Sequence, residues 1–142
     1  MKFEDFVKTA KAGDVVWICD YRFNDIDNKP IRHVRPTKVV VTSNDDLPRG
    51  KRVYYSDIHF RPFGKSGQPK AQVIAPYDNT GFRAYRGVAL HVFSTEEECI
   101  AHYAAQCEGI IADFERSKVK RMCYYDSMID EVRNDLKAVS AQ

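Results

Sequence analysis

The stretch VALHVFSTEEEC (residues 88–99) carries the chain from a strand pattern into a helix. Its first half, residues 88–93, is apolar and rich in β-branched residues, which predicts a strand. Ser94 and Thr95 each precede a glutamate by three residues, the spacing of a capping box at a helix N-terminus. This junction divides a β-rich part of the chain from a helical one.

Several short strand patterns precede the junction. Residues 15–19 (VVWIC) form an apolar run that is too short for a helix. Further patterns follow at residues 31–34, 38–42, 52–55 and 72–75, parted by polar turn clusters. Pro36 separates two of them and predicts an edge strand or a bend. Because no long helical pattern intervenes, we expect an antiparallel sheet or a small SH3-like barrel, preceded by a short amphipathic helix at residues 3–12.

The residues after the junction repeat with helical spacing. Apolar side chains recur at three- and four-residue steps from Ile100 to Phe114 and again from Met122 to Leu136. The eight-residue gap between these two runs leaves open one long helix or a helix pair. We expect part of this tail to pack on the sheet and the rest to pair with another copy of the chain. The fold class is therefore α+β, a single domain (1–142) with a β-rich body (1–95) and a helical tail (96–138).

Charge is distributed unevenly along the 142 residues. The whole chain has a net charge of +2, but residues 1–95 carry 16 Lys and Arg against 10 Asp and Glu, a net of +6. A basic body predicts an anionic ligand, or simple attraction to the acidic tail. No run approaches the length of a membrane span, and the N-terminus lacks the apolar core of a signal peptide. A cytoplasmic protein with four reduced cysteines is expected.

Motifs for catalysis and metal binding are missing from the sequence. It contains no GxSxG, HExxH, P-loop or GxGxxG pattern. The four histidines share no metal-ligand spacing, and His91 alternates with two apolar residues, which predicts that it is exposed on the outer face of its strand. We expect no enzyme, cofactor or metal.

Two runs interleave arginine with aromatic residues, at 54–63 and 78–87. Aromatic faces stack on bases, and guanidinium groups hold phosphates bidentately. The alternative is that Tyr54, Phe60 and Phe63 are core residues and the arginines are ordinary surface charge. On the first interpretation, the candidate ligand-binding residues are Tyr55, Arg61, Asp78, Asn79, Phe82, Arg83, Tyr85 and Arg86.

Two resemblances bear on function. Gly13-Asp14-Val15-Val16-Trp17 looks like the opening of an SH3-like, KOW-type barrel strand. The overall layout resembles the phage anti-Thoeris sponge family: a β-rich body, the turn DNTGF (78–82) before the last strand, and a capped helix beginning TEEEC (95–99). That resemblance implies an N-terminal sheet, C-terminal helices, and assembly as dimers or larger oligomers. It also implies sequestration of a cyclic nucleotide immune signal such as a cyclic ADP-ribose isomer, with Phe82 as the platform for a base.

We therefore expect a non-enzymatic phage anti-defence protein that binds a small cyclic nucleotide and oligomerises through its tail. The first alternative is an SH3-like module that binds nucleic acid through its basic body. The second is an adaptor whose tail grips a host enzyme through an apolar face at residues 122–136.

Overall fold

The computed structural model describes residues 1–24, 29–47, 56–76 and 90–140. A short helix α1 (Phe3–Phe6) is followed by strands β1 (Val15–Asn24), β2 (Lys29–Ser43), β3 (Ile58–Pro62) and β4 (His91–Phe93), and then by helix α2 (Glu96–Ser140). The four strands form an open antiparallel sheet in the order β3-β2-β1-β4. The α+β class is confirmed, with an open sheet and one long helix. The predicted strand at 52–55 lies outside the described residues.

One face of the sheet carries the hydrophobic core. Cross-strand partners project to the same side, so Val16 and Val39, and Ile18 and Val92, meet on this face. Phe60 is fully buried, and its ring meets that of Phe3 edge to face at 6.1 Å. Helix α1 thus covers this face, because Phe3 is buried and Phe6 packs against the same cluster. The core residues are Phe3, Val16, Ile18, Val39, Val41, Phe60, Leu90 and Val92.

The opposite face is covered by the first turns of α2. The Cys19 thiol lies 3.6 Å from the Cys99 carbonyl oxygen, and both side chains are fully buried. His91 does face away from buried Val92, but the expectation that it is solvent-exposed is wrong. Its ring lies 4.2 Å from that of His102, and its Nδ1 atom is buried. The helix that packs over the outer face was not anticipated at this position.

Strand β2 runs straight through Pro36, where a bend or an edge had been expected. The pairing of β1 with β2 shifts register between Ile18 and Asp20, and Pro36 lies in the unpaired stretch opposite that shift. On the other side, β3 pairs with β2 only from Val39 to Ser43. A residue without a backbone N–H is tolerated there because no ladder hydrogen bond requires one.

Short backbone bridges line both outer strands. At the β4 side, Lys2 bridges His91, and the Val92 N–H donates to the Met1 carbonyl at 3.0 Å. At the β3 side, Phe60 and Ile74 exchange two backbone hydrogen bonds of 3.0 and 2.7 Å. Each outer strand is therefore partly paired by a segment that is not itself a strand.

Helix α2 begins as the sequence predicts. The Glu98 N–H donates to the Thr95 Oγ1 atom at 3.3 Å, and Glu96, Glu97 and Glu98 occupy the first turn. The hydroxyl satisfies one unpaired donor, and the carboxylates complement the positive end of the helix dipole. No helix among the described residues is long and apolar enough to cross a membrane.

The chain divides into two compact units, Met1–Cys107 and Glu108–Gln142. The first unit contains the sheet, α1 and the beginning of α2. In the second, α2 is the only element described. The division into a single domain with a body and a tail stays a prediction.

Candidate functional site

A basic groove runs beside the sheet within the first unit. It has a volume of about 700 Å³ and is lined by residues 32–35 and Thr37 of β2, by Pro62, and by residues 70 and 72–75. We define the basic groove by these residues. Its volume lies in the range of small-molecule sites, roughly 300–1,000 Å³. It could therefore accommodate a nucleotide-sized ligand.

The far wall of the basic groove is a loop tied back onto β3. Besides the Phe60–Ile74 bridge, the Lys70 N–H donates to the Pro62 carbonyl at 2.7 Å. The chain reverses at Gly67, whose φ of +80° suits glycine, and the Gly64 N–H donates to the Gln68 carbonyl at 2.8 Å. These backbone bonds hold the loop at a fixed distance from β2.

Two arginines brace this loop. The Arg61 Nε donates to the Lys70 carbonyl at 2.6 Å. Arg32 reaches across from β2, with its Nη1 donating to the Pro76 carbonyl at 3.3 Å and its Nη2 to the Ala75 carbonyl. Because both donate to carbonyl oxygens of one segment, they position the wall and also place their charge beside the groove. Contact of Arg61 with a phosphate stays a prediction.

The lining of the basic groove is cationic. Arg32, Arg35 and Lys70 contribute positive charge, and no aspartate or glutamate is among the described lining residues. In the described part of the chain, the carboxylates that form ion pairs are Asp5, Asp20 and Asp113, and none of them pairs with Arg35 or Lys70. A groove with this charge attracts anions and disfavours cations.

An aromatic cluster adjoins the groove at His33. The His33 Nε2 atom lies 2.6 Å from the Tyr103 hydroxyl, and the two rings stack at 5.8 Å with 14° between their planes. Tyr21 meets His33 edge to face at 4.2 Å. Burial is the main cause that raises the pKa of Tyr103, Cys107 adds to it, and the charge of Arg35 opposes it. Tyr103 therefore stays a neutral hydroxyl that can hydrogen-bond.

Only one of the residues predicted from the sequence falls in the described part of the chain. Arg61 lies on β3, next to the loop that forms the groove wall. The other seven lie outside the described residues: Tyr55, Asp78, Asn79, Phe82, Arg83, Tyr85 and Arg86.

Sequence reasoning did not identify the residues that line the groove. Arg32, Arg35 and Lys70 lack adjacent aromatic residues of the kind that drew attention to the two arginine-aromatic runs. The one available signal was the net charge of +6 in residues 1–95, which predicts an anionic ligand but no position for it.

A second polar cluster lies between β1, β4 and α2. Asp20 is 2% exposed and pairs with Arg22 at 2.8 Å, and the Gln106 side-chain N–H donates to it at 3.4 Å. The His91 and His102 rings complete the cluster. Burial is the largest cause that lowers the pKa of both imidazoles, and for His91 the neighbouring His102 lowers it further.

This cluster does not form a metal site. Among the described residues, no three His, Cys, Asp or Glu side chains are placed to hold a metal ion together. The His91 Nδ1, His102 Nε2 and Gln106 Oε1 atoms are buried without a hydrogen-bond partner. Neutral imidazoles therefore pack on one another here, with a buried ion pair beside them.

Comparison of the chain with models of known protein families, with curated proteins and with solved structures gave no match.

Proposed function

We propose that the protein is a non-enzymatic binder of a small cyclic nucleotide, which it holds in the basic groove and sequesters from other receptors. The observation that carries the proposal is the cationic lining of a groove of about 700 Å³. The resemblance to the phage anti-Thoeris sponges supplies the identity of the ligand class and the anti-defence role.

The groups in the groove suit a phosphate. Arg35 can present a guanidinium fork, and Lys70 a compact ammonium, to two different phosphate oxygens. Hydrogen bonds to charged groups contribute about 1.5–3 kcal/mol each, so two such contacts are enough for micromolar binding of a small anion.

The groove also offers uncharged contacts for the rest of a nucleotide. Gln72 and Thr37 supply hydrogen-bonding groups, and Val73 and Ile74 supply apolar surface. The His33–Tyr103 stack lies at one margin, where a base can contact an aromatic edge or face. A ligand with both an anionic part and a flat ring therefore fits the lining better than a simple inorganic anion does.

The test is a calorimetric titration of the full chain with cyclic ADP-ribose isomers and cyclic dinucleotides, with a short DNA duplex alongside. Lys70→Ala and Arg35→Ala are expected to weaken binding of the cyclic nucleotide by at least about tenfold. Lys65→Ala is the matched control, because Lys65 lies exposed on the same loop but does not line the groove.

The outcome separates the proposal from its rival. Binding of one cyclic nucleotide that is weakened by both groove variants, but not by the control, supports the proposal. Binding of only the duplex, with an affinity that falls steeply as salt rises, would support the nucleic-acid module instead.

A further inference from the structure

The second unit of the chain presents an unbroken heptad seam. Between residues 122 and 139, apolar side chains recur at steps of three, four, three, four and three residues. Each of them is between 48% and 69% exposed in the single chain. In heptad notation they fill every a and d position of this segment. The a positions are Met122, Ile129 and Leu136, and the d positions are Tyr125, Val132 and Val139.

A helix of this kind requires a partner. Helix α2 is the only described element of the unit Glu108–Gln142, so no other described element of that unit covers the seam. Helical segments in water gain most of their stability from packing an apolar face, because intrinsic propensity alone is marginal. The seam follows the 3.5-residue repeat of a coiled coil, whose natural partner is another helix with the same repeat.

The charges beside the seam indicate that the partner is the chain itself. When two copies lie parallel and in register, the g residue of one heptad faces the e residue five positions later on the other copy. Here Arg121 is at g and Asp126 is at e, so opposite charges meet on both sides of the seam. The following pair joins Met128 to Arg133, so these flanking contacts bring no like charges together.

We infer that residues 122–139 of two or more copies of the chain form a parallel, in-register coiled coil, aligned by Arg121 of one copy and Asp126 of the next. Valine at two d positions is compatible with assemblies of more than two strands, because β-branched d residues favour trimers and tetramers. The expected mass in solution is therefore that of a dimer, trimer or tetramer.

The first test measures the mass of the full chain by light scattering coupled to size exclusion. Ile129→Asp places a carboxylate in the seam and is expected to weaken association by more than about 100-fold, which leaves a monomer. Ser127→Asp is the matched control, because it adds the same charge at the outward f position and keeps the oligomer. Circular dichroism confirms that each variant retains its helix. A monomeric wild-type chain would overturn the inference.

The second test examines orientation and register. Arg121→Glu and Asp126→Arg each bring like charges together and are expected to weaken association by about fivefold. The double variant restores opposite charges across the seam and is expected to recover wild-type association. Asp130→Arg, which changes the charge equally at the outward b position, is the control. An oligomer whose association ignores the two single reversals would refute the parallel register.

Discussion

The Nε2 atom of His33 lies 2.6 Å from the hydroxyl of Tyr103, which is 70 residues further along the chain. This contact joins β2 to the first turns of α2 at the margin of the basic groove. It also keeps the two rings stacked, so one pair of side chains links the sheet, the helix and the candidate site.

Removing only the hydroxyl isolates the hydrogen bond from the stacking. Tyr103→Phe is expected to lower the free energy of unfolding by about 1 kcal/mol, whereas Tyr103→Ala also loses ring contacts and costs about 1 kcal/mol more. Urea unfolding of the three proteins measures both steps. Equal stability of the Phe variant and the wild type would show that the hydrogen bond contributes nothing net.

Stability should decrease as the pH falls below neutrality. Burial lowers the pKa of His59, His91 and His102 from the ordinary value of 6.5, so the unfolded chain binds protons that the folded chain excludes. Below about pH 6.5, acid therefore favours unfolding, and stability recovers above it as both states become neutral. Unfolding curves between about pH 7.5 and 5.5 measure this slope, above the range where most carboxylates titrate.

A variant assigns this slope to the paired rings. His102→Gln removes one of the buried imidazoles and one of the charges that lower the pKa of His91, so the dependence on pH should become shallower. A slope that is unchanged in the variant would place the effect elsewhere.

The buried ion pair should be costly to break from one side. Asp20 is 2% exposed, so Arg22→Met leaves its carboxylate without its cation in a place that water scarcely reaches. The expected loss is about 3 kcal/mol. Arg116→Met is the control, because the Arg116–Asp113 pair is exposed, and its loss should cost less than about 0.5 kcal/mol.

The same prediction has a second arm. Combining Arg22→Met with Asp20→Asn removes the charge that was left behind, so the double variant should regain part of the lost stability. A double variant that is less stable than Arg22→Met would contradict an uncompensated carboxylate as the cause.

The turn that shapes the groove wall should tolerate one glycine replacement and resist the other. Gly67 has a φ of +80°, and nothing lies within 4 Å of an added Cβ, so Gly67→Ala suffers only backbone strain, at about 1 kcal/mol. Gly64→Ala meets its nearest neighbours at 3.5 and 3.6 Å, which is ordinary contact, and should be nearly neutral. Thermal unfolding of the two variants compares them directly, and equal melting temperatures would argue against strain.

Local patterns predicted the elements that depend on neighbours in sequence. The helix start at Thr95 and the strand around Val92 were both predicted, because a cap and an alternating apolar strand are encoded within a few residues. Pro36 was misjudged because its tolerance depends on a register shift in another strand. The basic groove was missed for a similar reason, since Arg35 and Lys70 meet only after the loop is tied to β3.

The bridged outer strands have a consequence for colloidal behaviour. Exposed strand edges are templates on which chains add to one another and grow into fibrils. In the described sheet, Met1 and Lys2 occupy hydrogen-bonding positions along β4, and Ile74 does so along β3. Concentrated solutions of the folded chain should therefore resist amyloid-like growth through the sheet, and deletion of the first two residues should increase thioflavin-positive aggregation.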